Sequence, residues 1–262
     1  MSRSGYYAWL RRAESSRSKS DRGLLKRIRK IHRGSDGIYG SPRVHKALAR
    51  DGVYVGRKRV ERLMRRAGLA GRVTNLYRRT PGMHRFYGRH ANLRLNIPAP
   101  SAPDKQWVAD LTYIKVAGNW MYLAVVMDLY SRRIVGWSLG SHKTAELTLR
   151  ALRQTLSVRS PDAGLIFHTD RGVEYGAELI QNELQRHDSR HSMNRPGKCT
   201  DNAHMESFFH TLKSEKLHGT AFTSVRELRR SINQYIDGFY NTTRLHSSLD
   251  YVSPMEHERM AA

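Results

Sequence analysis

One cysteine, Cys199, stands in 262 residues, which rules out an intramolecular disulfide, and no Cys-x-x-Cys pair is present to hold structural zinc. Thirteen histidines are scattered without cysteine companions, which also points away from a zinc site. No run approaches the roughly 20 consecutive apolar residues that a membrane-spanning helix requires. The amino terminus lacks the apolar core of a signal peptide, so the chain reads as cytoplasmic. Acid is scarce where base is abundant: residues 1–100 hold 5 Asp and Glu against 26 Lys and Arg, while residues 101–262 hold 18 against 20.

That asymmetry places almost all of the net charge of +23 in the first hundred residues. Clustered Lys and Arg release condensed counterions from phosphates on binding, so a front end of this kind implies a nucleic-acid partner. Hydrophobic residues make up 39% of the chain, enough for a real core in a domain of this size.

Residues 1–20 are polar and basic, with loop character. From Asp21 a helix is predicted, with Asp21 as its cap and Leu24, Leu25, Ile28 and Ile31 at three-to-four spacing. Ser41-Pro42 suits the start of a second helix, which ends at Gly52. A third begins near Gly56 and stops at Gly68. It turns Val60, Leu63 and Met64 inward and Arg57, Lys58, Arg59, Arg62, Arg65 and Arg66 outward. Three short helices over 21–68, the last strongly basic, predict a helix-turn-helix module whose third helix enters a DNA groove. Residues 69–103, with arginines among Tyr77, Phe86, Tyr87 and His90, read as a basic linker.

Beyond residue 104 the pattern changes. Trp107–Val116 alternates, Trp120–Met127 is almost continuously apolar, Arg133–Leu139 is a third strand, Thr144–Leu156 a helix and Leu165–Phe167 a buried strand. This order predicts an α/β unit, a mixed sheet between helices, over 104–262. Trp107, Trp120 and Trp137 are assigned to packing, Asp128 to a turn and Asp201 to capping a helix.

Three acids stand apart. Asp110 lies in the first strand, Asp170 closes a later one within His168-Thr169-Asp170-Arg171-Gly172, and Glu206 opens a helix after Asp201-Asn202-Ala203-His204-Met205. If those two strands are neighbours, Asp110 and Asp170 share one position and repel unless divalent cations lie between them. Hard oxygen donors favour Mg²⁺ or Mn²⁺, and two such ions support in-line phosphoryl transfer. His210 and Lys213 follow Glu206 on the same helix face. Lys213 is expected to touch a phosphate, with Asn202 and His210 in supporting places.

The three motifs and the lysine seven residues past Glu206 resemble the integrase-like transposases of bacterial insertion sequences. More narrowly, they resemble the second-frame product of the insertion-sequence family numbered three. Ser4-Gly5-Tyr6-Tyr7, Tyr39-Gly40-Ser41-Pro42-Arg43 and the tail Tyr240-Asn241-Thr242-Thr243-Arg244-Leu245-His246 belong to the same resemblance, which covers nearly the whole chain. It implies a ribonuclease-H-like core and an Asp110/Asp170/Glu206 triad holding two metal ions. It also implies strand cleavage and transfer at element ends, a homo-oligomer on terminal-repeat and target DNA, a first-frame partner protein, and a place on the bacterial nucleoid. A nuclease that cuts without joining, or a DNA-binding protein inactive without that partner, stays open at this point. The chain departs from the family pattern at Pro196, in the loop before the third motif, and at His204, where the family carries proline.

Overall fold

The computed structural model describes residues 2–4, 6–7, 14–72 and 90–261. Residues 73–89 of the expected basic linker, with Tyr77, Phe86 and Tyr87, therefore lie outside the described residues, as does Gly5 of the amino-terminal motif. The chain divides into two compact units, Met1–Val73 and Thr74–Ala262.

The first unit holds three helices: α1 (Ser16–Gly34), α2 (Ser41–Arg50) and α3 (Arg57–Arg66). Leu24, Ile28, Val44, Leu48, Val60, Leu63 and Met64 are buried, so the inward stripe of α3 is the one its periodicity predicted. The start of α1 differs from expectation. It begins at Ser16 rather than Asp21, because the Ser15 hydroxyl accepts from the Ser18 N–H at 3.2 Å and satisfies an orphan donor of the first turn. Asp21 instead lies inside the helix and is 8% exposed. Pro42 occupies the first turn of α2, where its missing N–H costs nothing.

The second unit is built on a five-stranded sheet in the order β3-β2-β1-β4-β5. Its strands are β1 (Gln106–Val116), β2 (Asn119–Asp128), β3 (Ile134–Gly140), β4 (Ile166–Thr169) and β5 (Arg190–Met193). β1 runs antiparallel to β2 and parallel to β4, and β4 runs parallel to β5. The helices are α4 (Ala145–Arg159), α5 (Val173–Gly176), α6 (Glu178–Arg186), α7 (Ala203–Leu212), α8 (Val225–Tyr235) and α9 (Pro254–Ala261).

Strand alternation divides the core in two. On one face Val108, Ile114 and Val116 of β1 join Leu123, Val125 and Met127 of β2 under Met205, Phe208 and Leu212 of α7 and Leu228 and Ile232 of α8. On the other, Trp107 and Ala109 join Ala124 and Val126 under Leu147, Ala151 and Leu152 of α4. Each fully buried side chain of Leu or Ile size stabilises by about 1.5–3 kcal/mol. Helix α4 approaches the sheet closely at Gly136: a methyl there would strike Thr155 Oγ1 and lie 2.7 Å from the Ala151 carbonyl oxygen.

Three polar features complete the frame. At the free edge of β3 the Trp137 N–H donates to Gln154 Oε1 at 3.1 Å, and the Leu139 carbonyl accepts from Arg229 at 3.3 Å. Asp128 holds its turn as expected, accepting from the Ser131 N–H at 2.9 Å. After α7 the chain makes a π-helical turn, Lys213–Leu217, with Glu215 buried inside it. Arg244 of the tail motif donates to both Glu215 oxygens at 2.7 and 2.8 Å, and the Tyr235 hydroxyl donates to one at 2.7 Å. Among the described residues no helix is long and apolar enough to cross a membrane.

Candidate active site

Asp110 and Asp170 meet because β1 and β4 are parallel neighbours. Their register pairs Ala109 with Thr169, so the next residue along each strand is one of the two aspartates. Asp110 also pairs with Val125, which fixes its side chain on the face covered by α7 and α8. The loss of surrounding water pushes the Asp110 carboxyl well above the usual carboxylate range. Asp170 adds to this, with Glu206 and Glu174 contributing less, against a lowering hydrogen bond from the Leu111 N–H at 2.7 Å. Two carboxyls so placed resist simultaneous ionisation unless positive charge joins them.

Several contacts fix Asp170. Its Oδ1 accepts from the Gly172 N–H at 3.0 Å. The strand end before it is pinned by the Asn194 N–H donating to the Thr169 carbonyl at 3.0 Å. A polar chain runs behind: the Gln181 amide lies 2.7 Å from His191 Nδ1, His191 Nε2 lies 3.1 Å from Thr169 Oγ1, and that hydroxyl donates to the Asp170 carbonyl at 2.8 Å. An amide nitrogen only donates, so Nδ1 accepts and the His191 proton resides on Nε2. His168 bridges Ser192 and Asn194 at 2.8 Å each. Burial first, then Arg94, lowers its pKa to about 4.

Asn202 donates to the Ala109 carbonyl at 3.0 Å while its Oδ1, also buried, has no hydrogen-bond partner among the described residues. Asp201 does not cap α7, contrary to expectation. Its carboxylate is taken by Arg195 at 2.8 Å and Asn92 at 2.9 Å, contacts that hold it well below the usual range, Arg195 first. Glu206 lies in the first turn of α7 and is exposed, as is His210. Lys213 is half-buried, its Nζ 5.0 Å from the centroid of the Tyr113 ring. Burial lowers its pKa against the opposing pull of Asp110.

The all-oxygen donor pair and the raised Asp110 suit a hard divalent cation. Among the described residues no three His, Cys, Asp or Glu side chains are gathered into one metal-holding group. Glu206 thus stands near enough to act on the charge of Asp110 without closing a three-ligand cage. Lys143 and Tyr175 were not singled out by the sequence. Lys143 Nζ is 2.9 Å from Glu174 Oε1. The Tyr175 hydroxyl is buried with no partner among the described residues, and burial first, then Asp110 and Asp170, pushes its pKa up. Neither residue has a spacing signal; only the fold brings them here.

In the first unit the basic helix splits by role. Arg59 Nε and Arg62 Nη2 each donate to Asp21 at 2.7 Å, and Arg65 donates to Glu61 at 2.8 Å. Arg57, Lys58 and Arg66 are exposed.

Comparison with known families places this geometry. The Integrase core domain family matches residues 100–199 and again 187–254, and an HTH-like domain matches 19–77. The chain is 39% identical over 254 residues to an insertion element IS600 uncharacterized 31 kDa protein of Shigella sonnei, covering 97% of this chain and 93% of that one. It is 36% identical over 262 residues to the transposase InsF for insertion sequence IS3A of Escherichia coli K12, covering 98% and 90%. Among solved structures the magnesium complex of the HTLV-2 integrase catalytic core domain aligns with a TM-score of 0.47 and 16% identity, over 60% of this chain and 98% of that one. The α/β sheet thus belongs to the integrase core that the resemblance implied, preceded by a helix-turn-helix-like domain, and the chain belongs to the transposases of the IS3 family of bacterial insertion sequences.

Proposed function

We propose that Asp110, Asp170 and Glu206 form the metal-holding triad of a DNA cleavage and strand-transfer site that takes two Mg²⁺ or Mn²⁺ ions. The observation that carries this is the convergence of Asp110, within β1, and Asp170, just past the end of the parallel strand β4, with the Asp110 carboxyl pushed up by burial first and then by Asp170. When bound, such ions acidify an attacking oxygen and offset charge on the leaving one. Asp110 and Asp170 give fixed ligands on rigid strands, and Glu206 joins them from the first turn of α7. Lys213, half-stripped of water beside Tyr113, is poised to trade its remaining hydration for a terminal phosphate. Asn202 ties the start of α7, the helix that carries Glu206, to the backbone beside Asp110.

The helical domain at 21–68 grips DNA through Arg57, Lys58 and Arg66 on α3, and the basic segment 69–103 follows the backbone. Two element ends must be cut together, so the working form is an oligomer on terminal-repeat and target DNA, assisted by a first-frame partner. The test is cleavage and joining of end-labelled duplexes carrying the element's terminal repeats, with Mg²⁺, for the wild type and Glu206→Gln. Joined products from the wild type alone support the reading. Cleavage without joining makes the protein a nuclease, and unimpaired joining by Glu206→Gln removes that residue from the mechanism.

A further inference from the structure

Close to the aspartate pair lies a third carboxylate with its own cation. Glu174 follows Asp170 by four residues, in the short helix α5, and its side chain is 3% exposed. Lys143, in the loop between β3 and α4, reaches it with Nζ 2.9 Å from Oε1 and is itself 46% exposed. The bare Cα of Gly172 shows how tightly the acids are packed. A methyl there would lie 2.5 Å from that same Glu174 oxygen and 3.0 Å from Asp170 Oδ1. The ammonium bound to Glu174 therefore sits within the field of the aspartates. Consistently, burial lowers the Lys143 pKa but Glu174 first, then Asp170 and Asp110, raise it to a net gain.

Carboxylates gathered in a water-poor pocket need a positive charge or a proton. A divalent ion supplies it only when bound, whereas Lys143 is tethered. We propose that Lys143 is a built-in counter-cation of the aspartate site, anchored by Glu174, which keeps the carboxylates together before metal arrives and opposes the entry of divalent ions, so setting the concentration at which the site fills. The inference rests on the metal-holding role proposed for Asp110 and Asp170. A mobile cation and a fixed one of the same sign compete through charge alone, so removing the fixed one strengthens binding of the other.

Mn²⁺ binding without DNA, followed by water-proton relaxation, tests this in the full chain. Lys143→Met should bind Mn²⁺ roughly tenfold tighter, the scale of one unit charge acting across a few ångströms at a partly hydrated site. Lys143→Gln, which keeps a donor for Glu174 but no charge, should do the same, and Lys143→Arg should match the wild type. Asp110→Asn should lose binding. Unchanged or weaker Mn²⁺ affinity in both uncharged variants, with binding still dependent on Asp110, overturns the counter-cation role alone. Wild-type Mn²⁺ binding that ignores Asp110→Asn overturns the metal-holding reading, and this inference with it.

Discussion

Asn202 hands its side-chain N–H to the carbonyl of Ala109 across 3.0 Å, joining the residue just before α7 to the residue just before Asp110. One hydrogen bond thus couples the strand that carries the first acid to the helix that carries the third. Replacing Asn202 by alanine should cost about 1–3 kcal/mol by leaving a buried carbonyl unpaired. It should lower turnover far more than DNA affinity. Urea unfolding beside filter binding and cleavage assays checks this, and equal losses in binding and turnover would contradict it.

Splitting the basic helix by partner separates grip from folding. Neutralising Arg57, Lys58 and Arg66 should weaken DNA binding and flatten its dependence on salt, by about one unit of slope for each phosphate left without its cation. It should leave the melting temperature of the helical domain near that of the wild type. Asp21→Asn should do the reverse, lowering the melting temperature by releasing Arg59 and Arg62 while the salt slope is kept.

Arg244 and Glu215 form a buried pair closed by the Tyr235 hydroxyl. Arg244→Met strands a carboxylate in the core and should destabilise by about 3–5 kcal/mol, whereas the Arg244→Met/Glu215→Gln double variant should recover part of the loss. Denaturant unfolding of the single and double variants decides. A double variant worse than the sum of the singles would show that the pair is not the source of the cost.

Acid sensitivity has an identifiable contributor in His191. Burial first, then His90 and His168, lowers its pKa from 6.5 to about 3, so between those values the unfolded chain takes up a proton that the folded chain refuses. Stability from this group is complete above pH 6.5 and falls as pH drops toward 3, with a slope of at most about 1.4 kcal/mol per unit. His191→Gln should show a shallower loss over that window in unfolding measured from pH 7 to pH 4.

Gly136→Ala should be severe for a one-carbon change, about 2 kcal/mol or more, since the added methyl meets Thr155 and the Ala151 carbonyl of α4. Pairing it with Thr155→Ala should not restore stability, because the backbone oxygen stays in the way.

The strands of the core were legible because β1 alternates and β2 is apolar on both faces, and these patterns survive burial unchanged. The neighbouring places of Asp110 and Asp170 followed from that strand order. The start of α1 was misread because Asp21 looks like a cap, yet its carboxylate is satisfied by Arg59 and Arg62, about forty positions away in sequence, and local pattern carries no trace of such a pairing. Asp201 was misread because its carboxylate is taken by Arg195, six positions back in the preceding loop, and by the distant Asn92, rather than by the backbone of α7. Lys143 and Tyr175 escaped notice because proximity to the acids arises only when the β3–α4 loop and α5 fold against the strand ends. The metal-holding role of the triad and the groove contacts of α3 are chemical proposals that the motifs suggest and the experiments above decide.

The side chains that occupy the rim of β3 restrict how copies of this protein can join. With the Trp137 N–H taken by Gln154 and the Leu139 carbonyl by Arg229, a second sheet finds no open ladder to extend at those two positions. In the DNA-bound oligomer proposed above, protomers would therefore meet at those positions through side chains and shared nucleic acid rather than through a continuous backbone seam.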